Sequence, residues 1–182
     1  SISNKGKRMP ESPIRKLEPF AEKAKKKGIK VFHLNIGQPD IKTPDNAINA
    51  IKNIDLDIIK YSSSAGIQSL RDKLAEYYRK NEVYLDASEI IVTTGASEAI
   101  MFSIASIADD GDEIIIPEPF YANYHAFASS TSATVVPLVS TIETAFALPS
   151  IEEVEKLITP KTKAILICNP GNPTGYLYSQ EE

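Results

Sequence analysis

The chain has 182 residues, 42% hydrophobic and 24% charged, which is enough for one globular domain with a substantial core. Its net charge of -4 gives no electrostatic reason to expect nucleic acid or an anionic membrane as a partner. A single cysteine, Cys168, excludes an intrachain disulfide and a cysteine-based metal cluster, and His33 and His125 lie far apart without metal-ligand spacing.

The opening SISNKGKRMPESP is polar, is expected to be extended, and contains no apolar stretch for a signal peptide. No apolar run approaches the roughly 20 residues of a membrane span, so a cytoplasmic protein is expected. Ser12 as N-cap, Pro13 in the first turn and Gly28 as terminator then bound a helix, with Ile14, Leu17, Phe20, Ala21 and Ala24 at helical spacing. Lys23, Lys25, Lys26 and Lys27 fall on its last turn and read as a solvated face that suits the helix dipole. IKVFHLNIGQPD reads as a short strand entering a loop at Gly37, and Pro44 opens a second helix over Asp45–Lys52. YSSSAG, from Tyr61 to Gly66, is a small polar loop. Leu70, Leu74 and Tyr77 or Tyr78 mark an amphipathic helix running towards Asn81.

From Ile90 onward strands and helices alternate. Strands are expected over residues 90–93, 113–116, 135–138 and 163–168, with helices over 97–108, 121–129 and 149–158 between them. That order predicts an α/β fold, a mostly parallel sheet covered by helices in three layers. Ser179, Gln180, Glu181 and Glu182 read as the first turn of a further helix, since acidic residues suit its positive end. Four strands also make a small sheet for this pattern, so the chain is expected to be the N-terminal part of a longer protein.

Two loops at strand ends carry candidate chemistry. In Thr93-Thr94-Gly95-Ala96-Ser97, small residues let a ligand approach the backbone. The helix start supplies N–H groups for an anion, and the Ser97 hydroxyl is a further donor. Alone, the same residues also fit an ordinary strand-to-helix turn with Ser97 as a cap. Asn169-Pro170-Gly171-Asn172-Pro173-Thr174-Gly175 is a sharply restricted loop. It can hold an asparagine amide at a fixed angle over the crevice beyond the strand ends.

NPGNPTG resembles the asparagine loop of the class I/II aminotransferases, of the aspartate aminotransferase fold type. In the same order and spacing, LNIGQPD resembles that family's early glycine loop, YSSSAGIQSLRDKLAEYY its tyrosine loop and helix, TTGASEAI its phosphate loop and PEPFYANY its ring-stacking segment. The resemblance runs from about Ser12 to the end of the chain. It implies the large domain of a pyridoxal phosphate (PLP)-dependent transferase, incomplete, over residues 48–182. It implies an N-terminal arm and the first part of a small domain over residues 1–47.

The resemblance also implies roles. Gly95, Ala96 and Ser97 would hold the cofactor phosphate, and Tyr121 would stack on the pyridine ring. Asn172 would donate to the cofactor's phenolic oxygen, and Gly37 would offer a backbone N–H to the substrate carboxylate. Phe120 departs from the pattern, since the family often has a smaller residue there. Tyr61 would reach the phosphate of a neighbouring subunit, making the active site shared within a homodimer. Plain packing roles remain open for Tyr121 and Tyr61.

The implied reaction moves an amino group between an amino acid and a 2-oxo acid, with pyridoxal 5'-phosphate as the electron sink. The Schiff-base lysine, the aspartate facing the pyridine nitrogen and the carboxylate-binding arginine all belong beyond Glu182. The chain alone is therefore expected to be inactive, with no catalytic residue of its own. The alternatives are another enzyme of this fold (a β-lyase, a cyclopropane-forming or a decarboxylating enzyme) and a non-catalytic module that kept the fold. A nucleotide-binding domain would need the glycine spacing of a dinucleotide fingerprint or a Gly-Lys-Ser/Thr loop, and the sequence has neither.

Overall fold

The computed structural model describes residues 1–182, the side chain of Arg8 aside, in two compact units: Ser1–His33 with Gly95–Glu182, and Leu34–Thr94. In chain order the elements are α1 (Asn4–Arg8), α2 (Glu18–Lys26), α3 (Asp45–Lys52), α4 (Gln68–Lys80), α5 (Gly95–Ile107), β1 (Glu113–Glu118), α6 (Tyr124–Ser130), β2 (Thr134–Val139), α7 (Ile151–Leu157) and β3 (Thr162–Ile165). Among the described residues no helix is long and apolar enough to cross a membrane.

The N-terminal leader is not wholly extended, because Ser3 Oγ accepts the Gly6 N–H at 3.0 Å and starts α1. Ser12 Oγ accepts the Arg15 N–H at 3.4 Å, but it leads into a 3-10 turn over Arg15–Leu17 before α2 begins. Gly28, at φ +75°, closes α2 as expected, and the Gly28 and Ile29 N–H groups reach back to Lys25 and Ala24 carbonyls at 2.9 and 3.1 Å.

The first unit is built on a three-stranded parallel sheet in the order β2-β1-β3. Ile114, Ile115 and Ile116 of the central strand are almost completely buried, as a strand covered on both faces requires. Each such burial is worth about 1.5–3 kcal/mol. Ile114 and Ile116 share one cluster with Ile104 of α5, Tyr124 and Ala128 of α6, and Ala133. α7 packs on β2.

The sheet is smaller than the sequence suggests. Residues 90–93 are extended but form no strand: the Val92 N–H donates instead to the Ala65 carbonyl at 3.0 Å. Residues 29–34 likewise form no strand. In both places β-branched sequence is present without the neighbouring strand that a ladder needs. α6 begins at Tyr124 instead of Tyr121, because residues 121–124 close a turn in which the Tyr124 N–H donates to the Tyr121 carbonyl at 2.9 Å. Ser179 and Glu182 make reciprocal side-chain-to-backbone bonds at 2.8 and 3.2 Å, the pairing of a capping box, although residues 179–182 form no helix.

The second unit, Leu34–Thr94, centres on α4. Its Ala75 is buried, as is Ile90, and the Arg71 guanidinium donates to the Ala87 carbonyl at 2.8 Å. Gly66 stands at φ +97°, with its Cα facing Val92.

Candidate active site

Parallel pairing puts the carboxyl ends of β1 and β3 at one edge of the sheet. β1 runs out through Pro119 and Phe120 to Tyr121, and β3 runs on into the asparagine loop that carries Asn172. α5 returns to the start of β1 through a short turn and packs Ile104 into the sheet's cluster, so its N-terminus faces back towards that same edge. The structure thus gathers Gly95, Ala96, Ser97, Tyr121 and Asn172 at the crevice where open α/β sheets bind ligands.

At the head of α5, Gly95 takes φ +79°, and an added Cβ there would meet nothing within 4 Å. Only glycine takes this conformation freely, and the space around it is open. Ala96 and Ser97 follow, both exposed, in the first turn of a helix where backbone N–H groups lack intrahelical acceptors. The N–H groups of Ala96 and Ser97 at the head of a helix suit an anion.

Tyr121 is half-buried. Its hydroxyl accepts from Asn123 Nδ2 at 2.7 Å, and Tyr124 meets its ring edge-on at 5.5 Å between centroids. Phe120, where the family pattern often has a smaller residue, packs on Tyr124 and on His125 at 6.1 and 5.0 Å between ring centroids.

The asparagine loop is held from within. Gly171 donates to the Tyr176 carbonyl at 2.7 Å, Gly175 to the Gly171 carbonyl at 2.8 Å, and Tyr178 N–H to Asn169 Oδ1 at 3.2 Å. A side chain at Gly171 would come within 2.8 Å of Thr174 Oγ1, so the threonine would have to shift to admit one. Asn169–Pro170 and Asn172–Pro173 are cis. Asn172 is exposed, and its side-chain amide has no hydrogen-bond partner among the described residues.

Beneath lies a small cavity of about 20 Å³, room for one water, lined among others by Phe120, Tyr124, Ser140, Cys168 and Asn172. Burial, and next a hydrogen bond with the Cys168 thiol, push the Tyr124 phenol up to about 12. Cys168 Sγ donates to the Pro170 carbonyl at 3.3 Å.

Gly37 and Tyr61 belong to the other unit. Gly37 lies in an exposed loop with open space where a side chain would be, and the Tyr61 side chain is fully exposed. Three residues around the site were not singled out for it in the sequence: Asn123, Tyr124 and Ser140. Asn123 carried a signal, an asparagine at the start of a helix. Tyr124 closes the ring-stacking segment PEPFYANY without a role of its own there, and Ser140 carried no signal, since only the fold brings it beneath the site.

The family described as aminotransferase class I and II matches residues 29–182. A putative aminotransferase, YugH, of Bacillus subtilis is 39% identical over 155 residues, 84% of this chain and 40% of that protein. An aspartate aminotransferase of Thermotoga maritima is 36% identical over 183 residues, 96% of this chain and 48% of that protein. Among solved structures, the Thermotoga maritima aspartate aminotransferase superposes with a TM-score of 0.90 at 32% identity, over 99% of this chain and 48% of that one. An alanine aminotransferase from Pyrococcus furiosus gives 0.88 at 33% identity, over 100% and 47%. This chain spans less than half the length of these relatives. It belongs to the class I and II aminotransferases.

Proposed function

We propose that the protein carrying this chain is a PLP-dependent aminotransferase that moves an amino group between an amino acid and a 2-oxo acid, with aspartate as the favoured donor. The observation that carries this is the gathering of a helix N-terminus, an anchored tyrosine ring and an unpartnered asparagine amide at one sheet edge. Relatives named aspartate aminotransferase support the donor.

The residues fit the cofactor. Open space at Gly95 and small neighbours at the head of α5 admit a phosphate to the backbone of Ala96 and Ser97. The ring of Tyr121 offers a flat apolar face to the pyridine. Asn172, with its amide unspent, would donate to the phenolic oxygen and favour its anionic form. Bound pyridoxal 5'-phosphate supplies the electron sink that weakens bonds at the substrate Cα. By the same family resemblance, the Gly37 N–H would receive the substrate carboxylate.

Residues 1–47 are read as an arm and the start of a small domain, and 48–182 as the first part of the cofactor-binding domain. The fully exposed Tyr61 supports a homodimer in which it reaches the partner subunit's phosphate. A cytoplasmic location belongs to the same proposal. The chain alone has the grip on the cofactor and no lysine in the matching context, and is expected to be inactive.

The test supplies the full-length protein with pyridoxal phosphate, aspartate and 2-oxoglutarate and follows glutamate. Glutamate formation matched by loss of aspartate is the expected result. Release of ammonia, pyruvate and sulfide from cysteine, offered in place of aspartate with no acceptor present, would identify a β-lyase and overturn the reading.

A further inference from the structure

The geometry points to Ser140 as a positioning residue for the Tyr121 ring, an inference that rests on the cofactor reading above. Glu118 is the last residue of β1, and its carbonyl accepts two hydrogen bonds from Ser140: one from the backbone N–H at 2.9 Å and one from Oγ at 2.7 Å. The first continues the parallel ladder past Val139, and any residue except proline could make it. The second needs a hydroxyl. The carbonyl so gripped belongs to the peptide that joins Glu118 to Pro119, and Pro119 brings no N–H of its own.

The next ties along the chain are at Tyr121, whose carbonyl takes the Tyr124 N–H and whose hydroxyl takes the Asn123 amide. Residues 119–121 therefore hang between two anchors with few free dihedrals. The tilt of the Glu118–Pro119 peptide plane sets the angle at which Tyr121 leaves the sheet. Two donors on one carbonyl fix that plane better than one. Ser140 also lines the cavity under Asn172, so the strand end it holds supports both cofactor-facing groups. Ser140 touches no reacting atom, and its effect passes through the ring.

The experiment uses the full-length protein with pyridoxal phosphate as the probe. It compares wild type, Ser140→Ala and Ser140→Thr by cofactor titration and by the visible circular dichroism of the saturated holoenzyme, which reports ring orientation independently of affinity. Ser140→Ala is expected to weaken binding by about three- to ten-fold and to change the dichroic band per bound cofactor, with Ser140→Thr restoring both. If Ser140→Ala does not fold, Ser140→Cys, a weaker donor of similar size, is expected to show the same changes. A wild-type band and affinity in the hydroxyl-free variant, or a defect that threonine does not restore, would overturn the inference while leaving the cofactor reading intact. Wild type that binds no pyridoxal phosphate overturns the functional reading itself, and the inference with it.

Discussion

Asn123 stands at the N-cap of α6, yet its side chain does not cap the helix and donates instead to the Tyr121 hydroxyl at 2.7 Å. An asparagine cap is worth about 1 kcal/mol to a helix, so this side chain serves the ring at the helix's expense. Asn123→Ala is expected to cost about 1 kcal/mol in urea denaturation of the full-length apo-protein, the net worth of a part-buried hydrogen bond. It is also expected to weaken cofactor retention, whereas Tyr121→Phe, which keeps the ring, loses only the anchor. Unchanged cofactor retention in Asn123→Ala would remove Asn123 from the site.

Gly66 and Val92 lie in the second unit in closer contact than a side chain allows. A Cβ on Gly66 would fall 2.6 Å from the Val92 Cβ, and φ +97° disfavours any other residue. Because the obstructing atom sits next to the Val92 backbone, it cannot swing away. Gly66→Ala is expected to destabilise by about 2–4 kcal/mol, overpacking and backbone strain together. Gly95→Ala, with nothing within 4 Å, is expected to cost only the conformational share, about 1–2 kcal/mol. Urea midpoints decide the order, and equal losses would mean that the loop at Gly66 relaxes.

Much of this was legible because local chemistry and fold agree. Gly28 ends α2, Asp45–Lys52 is helical, and the Glu113 strand and the asparagine loop fall where their residues place them. The illegible parts were relational. Residues 90–93 are β-branched, but a strand also needs a ladder partner, and the Val92 N–H finds the Ala65 carbonyl in a loop instead. Tyr121 sits in helix-compatible sequence, yet its hydroxyl bond to Asn123 and the turn at 121–124 delay the helix. Nothing in residues 134–140 marks Ser140 until parallel register sets it beside Glu118.

Ala145 and Phe146 both adopt positive φ, 52° and 65°, at the end of a 3-10 turn over Ile142–Thr144. The Phe146 N–H donates to the Thr141 carbonyl at 2.9 Å, and this bond holds the pair in place. Left-handed backbone costs an alanine about 1–2 kcal/mol, against the roughly 0.5–1 kcal/mol of extra chain entropy that glycine loses on folding. Ala145→Gly is therefore expected to stabilise by about 0.5–1 kcal/mol, read as a higher urea midpoint. A lower midpoint would mean that the alanine methyl makes packing contacts worth more than the strain.

Tyr124 links stability to alkaline pH. Its ring is 7% exposed in the core cluster, and burial is the larger reason its phenol rises from 10.0 to about 12, with the Cys168 hydrogen bond second. Between those two values the folded protein keeps a proton that the unfolded chain has released, so stability falls as pH rises through the window. Below pH 10 this contribution is fully present. The 295 nm titration of wild type minus that of Tyr124→Phe is expected to show one phenol with a midpoint near 12. Tyr124→Phe is expected to flatten the fall in urea midpoint across the same window. Cys168→Ala removes the hydrogen bond and the thiol's charge but leaves the burial, so the Tyr124 phenol should still titrate above 10. A wild-type midpoint near 10 would mean that water reaches the hydroxyl through the cavity under Asn172, and the buried phenol assigned to Tyr124 would then be wrong.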